Sequence, residues 1–479
     1  MPLAVGFDLD MTLVDSREGI AATLQATLGE YGVSATAAEL WPLMGVPLDQ
    51  VLAPFLAPEH IAAATARYRV LYPALGVPLT TLLPGAAEAL ATVRAFGGRV
   101  VVVSAKAEPA VHLVLDQVGI SADVVAGDLF AQAKAGALAA HGVSVYVGDH
   151  TGDVAGALAA GAAAVAVTTG PVAADELRAA GAHVVLDTLL DLPHWLEDHV
   201  LETRLAALDE QLQGLGSVLV AFSGGADSAL LLAAAVRALG PDRVAAATAV
   251  SGSLAGGELA GATAFAASLG VRHLSPRTDE LSREGYRANA GDRCFFCKAE
   301  LLDVLGPLAA EHGLAAVATG TNADDALAGF RPGIRAAAER GALTPLLDAG
   351  LTKAQVRSVS ARWGLPTWDK PAAACLSSRI AYGVQITDSG LARVDRAELA
   401  ARHVLARARI VVRDLRVRDV GADRARLELD ADALASAGAV GTALSDALVE
   451  AGFAEGEIDP RGFRSGSMNE LLSTPDRFR

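Results

Sequence analysis

Short apolar runs alternate along the chain with longer mixed stretches, the pattern of parallel strands wrapped by helices. In the first part the runs are Leu3–Phe7, Val100–Val103, Val143–Val147 and Ala163–Val167, and a helical-looking insert separates the first two from Ser16 to about Leu82. Further on, Val218–Phe222, Val244–Val250, Val271–Leu274 and Leu314–Ala318 read as strands, with helical patterns over Ala229–Leu239 and Gly256–Leu269. Leu192 to Gly216 is charged and amphipathic and reads as a connecting helix. The pattern predicts an α/β chain: two doubly wound Rossmann-like domains followed by a small C-terminal α+β domain. The expected limits are 1–195, a connector at 196–216, then 217–383 and 384–479.

Composition narrows the class. With 479 residues, 52% hydrophobic and 20% charged, the chain has the make-up of a folded protein with several cores. The formal charge of −16, from 39 basic and 55 acidic residues, argues against a nucleic-acid partner, whose phosphates need clustered cations. The uncharged stretch Val154 to Ala174 is long enough to span a membrane. Its Ala, Gly, Thr and Pro content fits helix, strand and loop better, so no membrane partner is expected. Three cysteines are too few to staple this length, and no secretory pattern opens the sequence, which points to chemistry in a reducing cytoplasm.

The candidate chemistry lies where apolar runs end. Residues 223–228 read Ser-Gly-Gly-Ala-Asp-Ser, between a strand-like run and a helical one. Gly224 and Gly225 let the backbone curl, so that amides, Ser223 and Ser228 face one anion at a helix N-terminus, with Asp227 inside the same loop. The spacing is not that of a Walker A loop, and the segment carries no Lys for a γ-phosphate. Cleavage of ATP to AMP and pyrophosphate is the expected use.

In the first part, four polar elements follow in order: Asp8-Leu9-Asp10, Ser104, Lys134, and Asp149 with Asp153. Gathered at one sheet edge, the carboxylates would repel unless a cation such as Mg²⁺ sat among them. Asp8 is then the candidate nucleophile and Asp10 the proton donor to a leaving alkoxide; both count, with Asp149 and Asp153, among the metal-site candidates. Ser104 and Lys134 would neutralise the transferring phosphoryl group. This set resembles the haloacid dehalogenase superfamily of phosphatases, in which the insert at 16–82 takes the place of a cap domain. The resemblance implies a phosphorylated small molecule as substrate. A binding or regulatory module that has kept the same residues is the alternative.

Beyond the glycine loop come Arg293-Cys294-Phe295-Phe296-Cys297-Lys298, Gly320-Thr321-Asn322-Ala323-Asp324-Asp325, Arg331-Pro332-Gly333, Ala374-Cys375-Leu376-Ser377-Ser378-Arg379, Arg416-Val417-Arg418 and Gly462-Phe463-Arg464-Ser465-Gly466-Ser467-Met468-Asn469. Taken alone, Cys294-x-x-Cys297 is open to metal, redox or core roles, and the flanking Arg293 and Lys298 are expected to favour thiolates. Asp324 and Asp325 suit either Mg²⁺ on the ATP phosphates or helix capping. Arg416 and Arg418 alternate on one strand face, a place for a substrate phosphate or carboxylate.

From residue 215 to about 475 these motifs resemble the LarE family, ATP-dependent sulfur transferases that make the nickel-pincer nucleotide cofactor. The resemblance implies adenylation of a pyridinium dicarboxylate mononucleotide and displacement of AMP by sulfur to give a thiocarboxylate. It also implies two sulfur sources: Cys375 surrendering its own sulfur, or Cys294, Cys297 and Cys375 holding a [4Fe–4S] cluster with one open iron. Three cysteines within family motifs favour the cluster, and zinc lacks a fourth ligand. A homo-oligomer is expected. A tRNA thiolase would need a basic surface, and an amide-forming synthetase with a glutaminase is disfavoured by Pro2 after Met1.

Overall fold

The computed structural model describes residues 3–327, 332–371 and 374–464. Two compact units divide between His199 and Val200, inside the helix Leu192–Leu215.

The first unit is built on a six-stranded parallel sheet. Its spatial order is Val124–Ala126, Arg99–Val103, Ala4–Phe7, Val145–Gly148, Ala163–Val167 and Val184–Leu186. Strand Ala4–Phe7 lies between Arg99–Val103 and Val145–Gly148, in register Phe7 to Val102 and Phe7 to Val147. Every residue of Ala4–Phe7 is buried, which is why the run is continuously apolar instead of alternating. The order reverses beside this strand, and in such sheets the crevice forms at the carboxyl ends where the connections part. The insert leaves and returns through a two-stranded ribbon, Val14–Asp15 against Thr81–Leu82. Between them run the helices Arg17–Gly29, Ala37–Leu40, Leu48–Leu52 and Pro58–Leu75.

In the second unit a four-stranded parallel sheet runs Arg272–Leu274, Val244–Ala247, Val218–Ala221 and Ala316–Thr319. The strand expected to reach Val250 stops at Ala247: Thr248 instead turns its hydroxyl to the Phe222 carbonyl at 2.7 Å. The helix expected from Ala229 starts at Ala226, so Asp227 and Ser228 lie in its first turn. Ala229 to Ala235 are buried throughout, packed with Leu346, Val356 and Val359.

The C-terminal part is α+β. Strand Leu415–Asp419 pairs antiparallel with Arg424–Leu429, which pairs parallel with Glu455–Ile458, and the helices Asp388–Arg407 and Gly441–Glu450 accompany the sheet. Its core also takes in Tyr286, Leu376 and Ile380, so this packing begins before residue 384. No helix among the described residues is long and apolar enough to cross a membrane.

Candidate functional sites

The strand ends of the first unit bring the sequence-predicted residues together. Asp8 directly follows Phe7, and its amide donates to the Val147 carbonyl at 2.8 Å. Lys134, in the first turn of Gln132–Ala140, donates to Asp8 Oδ1 at 2.8 Å, Asp153 Oδ1 at 2.6 Å and the Tyr146 hydroxyl at 2.9 Å. Asp149 accepts from the Thr12 hydroxyl at 3.1 Å. Ser104 is buried, and its Oγ accepts from the Lys106 amide at 3.2 Å.

Asp8, Asp149 and Asp153 are all buried, and each offers a ligand oxygen within 4.8 Å of the others. Burial, only partly offset by Lys134, pushes the Asp8 carboxyl up to about 7, with Asp153 adding to the rise. Burial and then Asp153 push Asp149 well up. One lysine cannot balance three carboxylates, and Asp149 Oδ2 is buried with no hydrogen-bond partner. A second cation removes both defects, so the residues fit Mg²⁺. Gly170 approaches Asp149 so closely that a Cβ there would strike the carboxylate.

Asp10 lies apart from the three-carboxylate group. Its partner is Lys106, at 3.2 Å, whose ammonium also sits 4.1 Å from the centroid of the Tyr72 ring. Sequence reasoning missed Lys106; its place two residues beyond Ser104 was the available signal.

At the glycine loop of the second unit Gly224 has φ +70, a left-handed conformation that glycine adopts without strain. The hydroxyls of Ser223 and Ser228 are 3.1 Å apart, and the Gly225 amide donates to Ser223 Oγ. Asp227 accepts from Lys353 Nζ at 2.6 Å and from Asn322 Nδ2 at 3.2 Å. Lys370 Nζ donates to the Gly224 carbonyl at 3.1 Å and to Glu258 at 2.8 Å. The fold thus brings two distant lysines to a loop that has none of its own. Asp324 accepts from the Lys353 amide at 2.8 Å, and Asp325 from the Asn322 amide at 3.2 Å, so both carboxylates engage helix starts.

A cavity of about 870 Å³ joins this loop to the other motifs: Ser223, Lys370, Cys297, Cys375, Arg379 and Arg416 all line it. Arg379 pairs with Glu398 at 2.9 Å and donates to the Cys375 carbonyl at 2.8 Å. Arg418 pairs with Glu428 at 2.8 Å, and of the two arginines Arg416 lines the cavity. Burial first, then the charges of Arg379 and Arg418, lower the Arg416 pKa. Such crowding of guanidinium groups suits an anion.

The three cysteines line a second cavity of about 410 Å³, with Arg293, Lys298 and Tyr382. Cys375 Sγ is 2.9 Å from Ser377 Oγ. The expected thiolate at Cys297 is corrected by the fold: burial, with Cys375 next in effect, pushes that thiol up, and the same burial pushes the Lys298 ammonium down. Three sulfurs lining one cavity fit a thiolate-bound cluster, because bound iron would take the place of the proton that burial favours on Cys297. Arg331 and Ser465–Asn469 lie outside the described residues.

The profile of haloacid dehalogenase-like hydrolases matches residues 5–158, and that of a second hydrolase-like group matches 126–192. The pyridinium-3,5-bisthiocarboxylic acid mononucleotide synthase of Lactiplantibacillus plantarum is 34% identical over 273 residues, 57% of this chain and 96% of that protein. Tyrosine-protein kinase PtkA of Mycobacterium tuberculosis is 31% identical over 229 residues, 45% of this chain and 73% of the relative. The probable phosphatase IndB of Dickeya dadantii is 30% identical over 213 residues, 40% of this chain and 91% of the relative. The chain is therefore a fusion that belongs to two families, a haloacid dehalogenase-like hydrolase domain joined to a LarE homologue.

Proposed function

We propose that the second unit is an ATP-dependent sulfur transferase that converts a carboxylate of a pyridinium dicarboxylate mononucleotide to a thiocarboxylate, and that the first is a Mg²⁺-dependent phosphatase. The observation that carries the first reading is the shared cavity, whose wall includes Ser223 of the glycine loop, two cysteines and Arg416. The relative named as a bisthiocarboxylic acid mononucleotide synthase supports it. Residues 217–383 supply the nucleotide-binding part and 384–479 the substrate side.

A carboxylate is a poor electrophile until one oxygen becomes a good leaving group. In this reading a substrate oxygen attacks the α-phosphorus of ATP, pyrophosphate leaves, and a mixed anhydride forms. Sulfur then attacks the acyl carbon as the C–O bond to AMP breaks. The loop amides and the helix N-terminus at Ala226 favour the polyphosphate, and Arg416 favours the substrate's anionic group. Cys294, Cys297 and Cys375 would hold a [4Fe–4S] cluster, which would supply transferable sulfide when bound.

In the first unit Asp8 attacks the phosphoryl group, Asp10 protonates the leaving oxygen, and Ser104 and Lys134 hold the phosphoryl oxygens. Asp8, Asp149 and Asp153 would hold Mg²⁺, which would neutralise charge there.

Anaerobic reconstitution followed by iron and sulfide assay, visible absorption and intact mass after turnover tests the sulfur source. Cluster-borne sulfide predicts bound iron, absorption lost in Cys294→Ala and Cys297→Ala, and an unchanged polypeptide mass. A chain lighter by roughly 34 Da, the loss of hydrogen sulfide from a thiol, with no bound iron would assign the sulfur to Cys375 itself.

A further inference from the structure

Two cavities meet at the cysteines. Cys297, Leu301 and Cys375 line both the cavity of about 870 Å³, which also takes in Ser223, Lys370 and Arg416, and the cavity of about 410 Å³, which takes in none of these three. Cys294 is exposed and lines only the smaller one, whereas Cys297 and Cys375 are half-buried. The groups that suit nucleotide and substrate therefore lie on one side of the sulfur set, and a separate opening reaches it from the other.

The smaller cavity suits a small anion. Cys294, Cys297, Lys298 and Leu301 fall at i, i+3, i+4 and i+7 of helix Arg293–Glu311, so one helix face forms its wall. Gly333, in the first turn of helix Pro332–Glu339, faces that wall: a Cβ there would lie 3.7 Å from the Cys294 carbonyl oxygen and 3.8 Å from Lys298 Cβ. Lys298 pairs with no carboxylate among the described residues. Arg293, 5% exposed, donates to Asn289 Oδ1 and to the Ser377 carbonyl, both uncharged. Asp325 is the one carboxylate among the described lining residues, and it already accepts from the Asn322 amide. Two cations against one engaged carboxylate draw negative charge to this opening.

Chemistry narrows the choice of anion. A thiocarboxylate carries sulfur at the oxidation level of sulfide. Hydrosulfide has that level already, whereas a persulfide must first gain two electrons.

We propose that the smaller cavity is the entry port for hydrosulfide, with Lys298 as the residue that draws it in, so that sulfur reaches the cysteines from one side and the acyl adenylate from the other. The inference rests on the sulfur-transferase reading with the three cysteines holding a cluster. Sulfur from hydrosulfide ends on the acyl carbon as the C–O bond to AMP breaks, and the proton passes to solvent. Each cycle consumes one hydrosulfide and needs no oxidant or reductant.

The test follows uptake of radiolabelled hydrosulfide by the anaerobically reconstituted full chain, without substrate, as bound label against time. Lys298→Gln should slow uptake about tenfold, as loss of a focusing charge does. Gly333→Leu, whose Cβ has room while its methyls narrow the passage, should slow it by a similar factor. Iron content, pyrophosphate release and the first turnover of preloaded protein should match wild type in both variants. Saturation with α,β-methylene-ATP, which occupies the larger cavity, should leave uptake unchanged. Wild-type uptake by both variants, or uptake blocked by the nucleotide analogue, would overturn the port and leave the sulfur-transferase reading standing. A slower first turnover in the preloaded variants would also overturn it, by assigning this cavity to the substrate. A chain that binds no iron and gives up the sulfur of Cys375 would remove the cluster reading and the port together.

Discussion

Asp8 is where sequence, burial and charge converge most closely. Removing its charge with Asp8→Asn keeps the shape and deletes the nucleophile, so phosphatase turnover should fall by a factor on the order of 10⁴ or more, measured by phosphate release. Glu428 offers a stability counterpart. It and Arg418 are both buried and paired at 2.8 Å. Glu428→Ala would strand a buried guanidinium and should cost about 3–5 kcal/mol, read by denaturant unfolding. His273 predicts a pH effect. Its ring nitrogens lie 2.8 Å from Thr248 Oγ1 and 3.0 Å from Thr263 Oγ1, and burial holds its pKa below 6.5. The unfolded chain therefore binds the proton more readily, so stability is present above the unfolded pKa and declines as pH falls through it toward the folded value. His273→Gln should flatten that acid-side decline in a series of thermal unfolding curves.

At the scale of elements, much was legible because chemistry was written at strand ends. Asp8, Ser104 and Asp149 each follow a run that forms a strand of the first sheet, and the glycine loop does indeed join a buried strand to a helix. What a linear pattern does not carry is long-range partnership. Lys106 with Asp10, Lys353 with Asp227 and Lys370 with Gly224 all depend on which loops meet. Nor does it carry burial at a cysteine: Arg293 and Lys298 flank the pair in sequence, yet desolvation of Cys297 outweighs the neighbouring charge. Arg416 and Arg418 alternate as expected, but their burial, and the commitment of one to Glu428, needed the second strand and the core beneath. Gly320 shows how tight the loop region is. A Cβ there would meet the Ser228 amide nitrogen at 2.7 Å, so Gly320→Ala must push the strand end away from the helix start. Overpacking of this kind costs about 1–3 kcal/mol, and pyrophosphate release should drop more than global stability does.

For the whole molecule, the account is of two chemistries on one chain, each with its own parallel sheet and its own cavity. Asp8→Asn should therefore leave nucleotide cleavage by the second unit untouched, and Gly320→Ala should leave phosphatase turnover untouched; assaying both activities on both variants checks this. The central claim is that ATP is split at its α-phosphorus to activate a carboxylate for sulfur. It is tested most directly by incubating the reconstituted Asp8→Asn variant, whose first unit lacks its nucleophile, with ATP, Mg²⁺ and the pyridinium dicarboxylate mononucleotide, then quantifying nucleotides and product by mass. The account predicts AMP and pyrophosphate in equal amounts, with a product in which sulfur has replaced a carboxylate oxygen. ADP and free phosphate, or AMP without sulfur in the product, would contradict it.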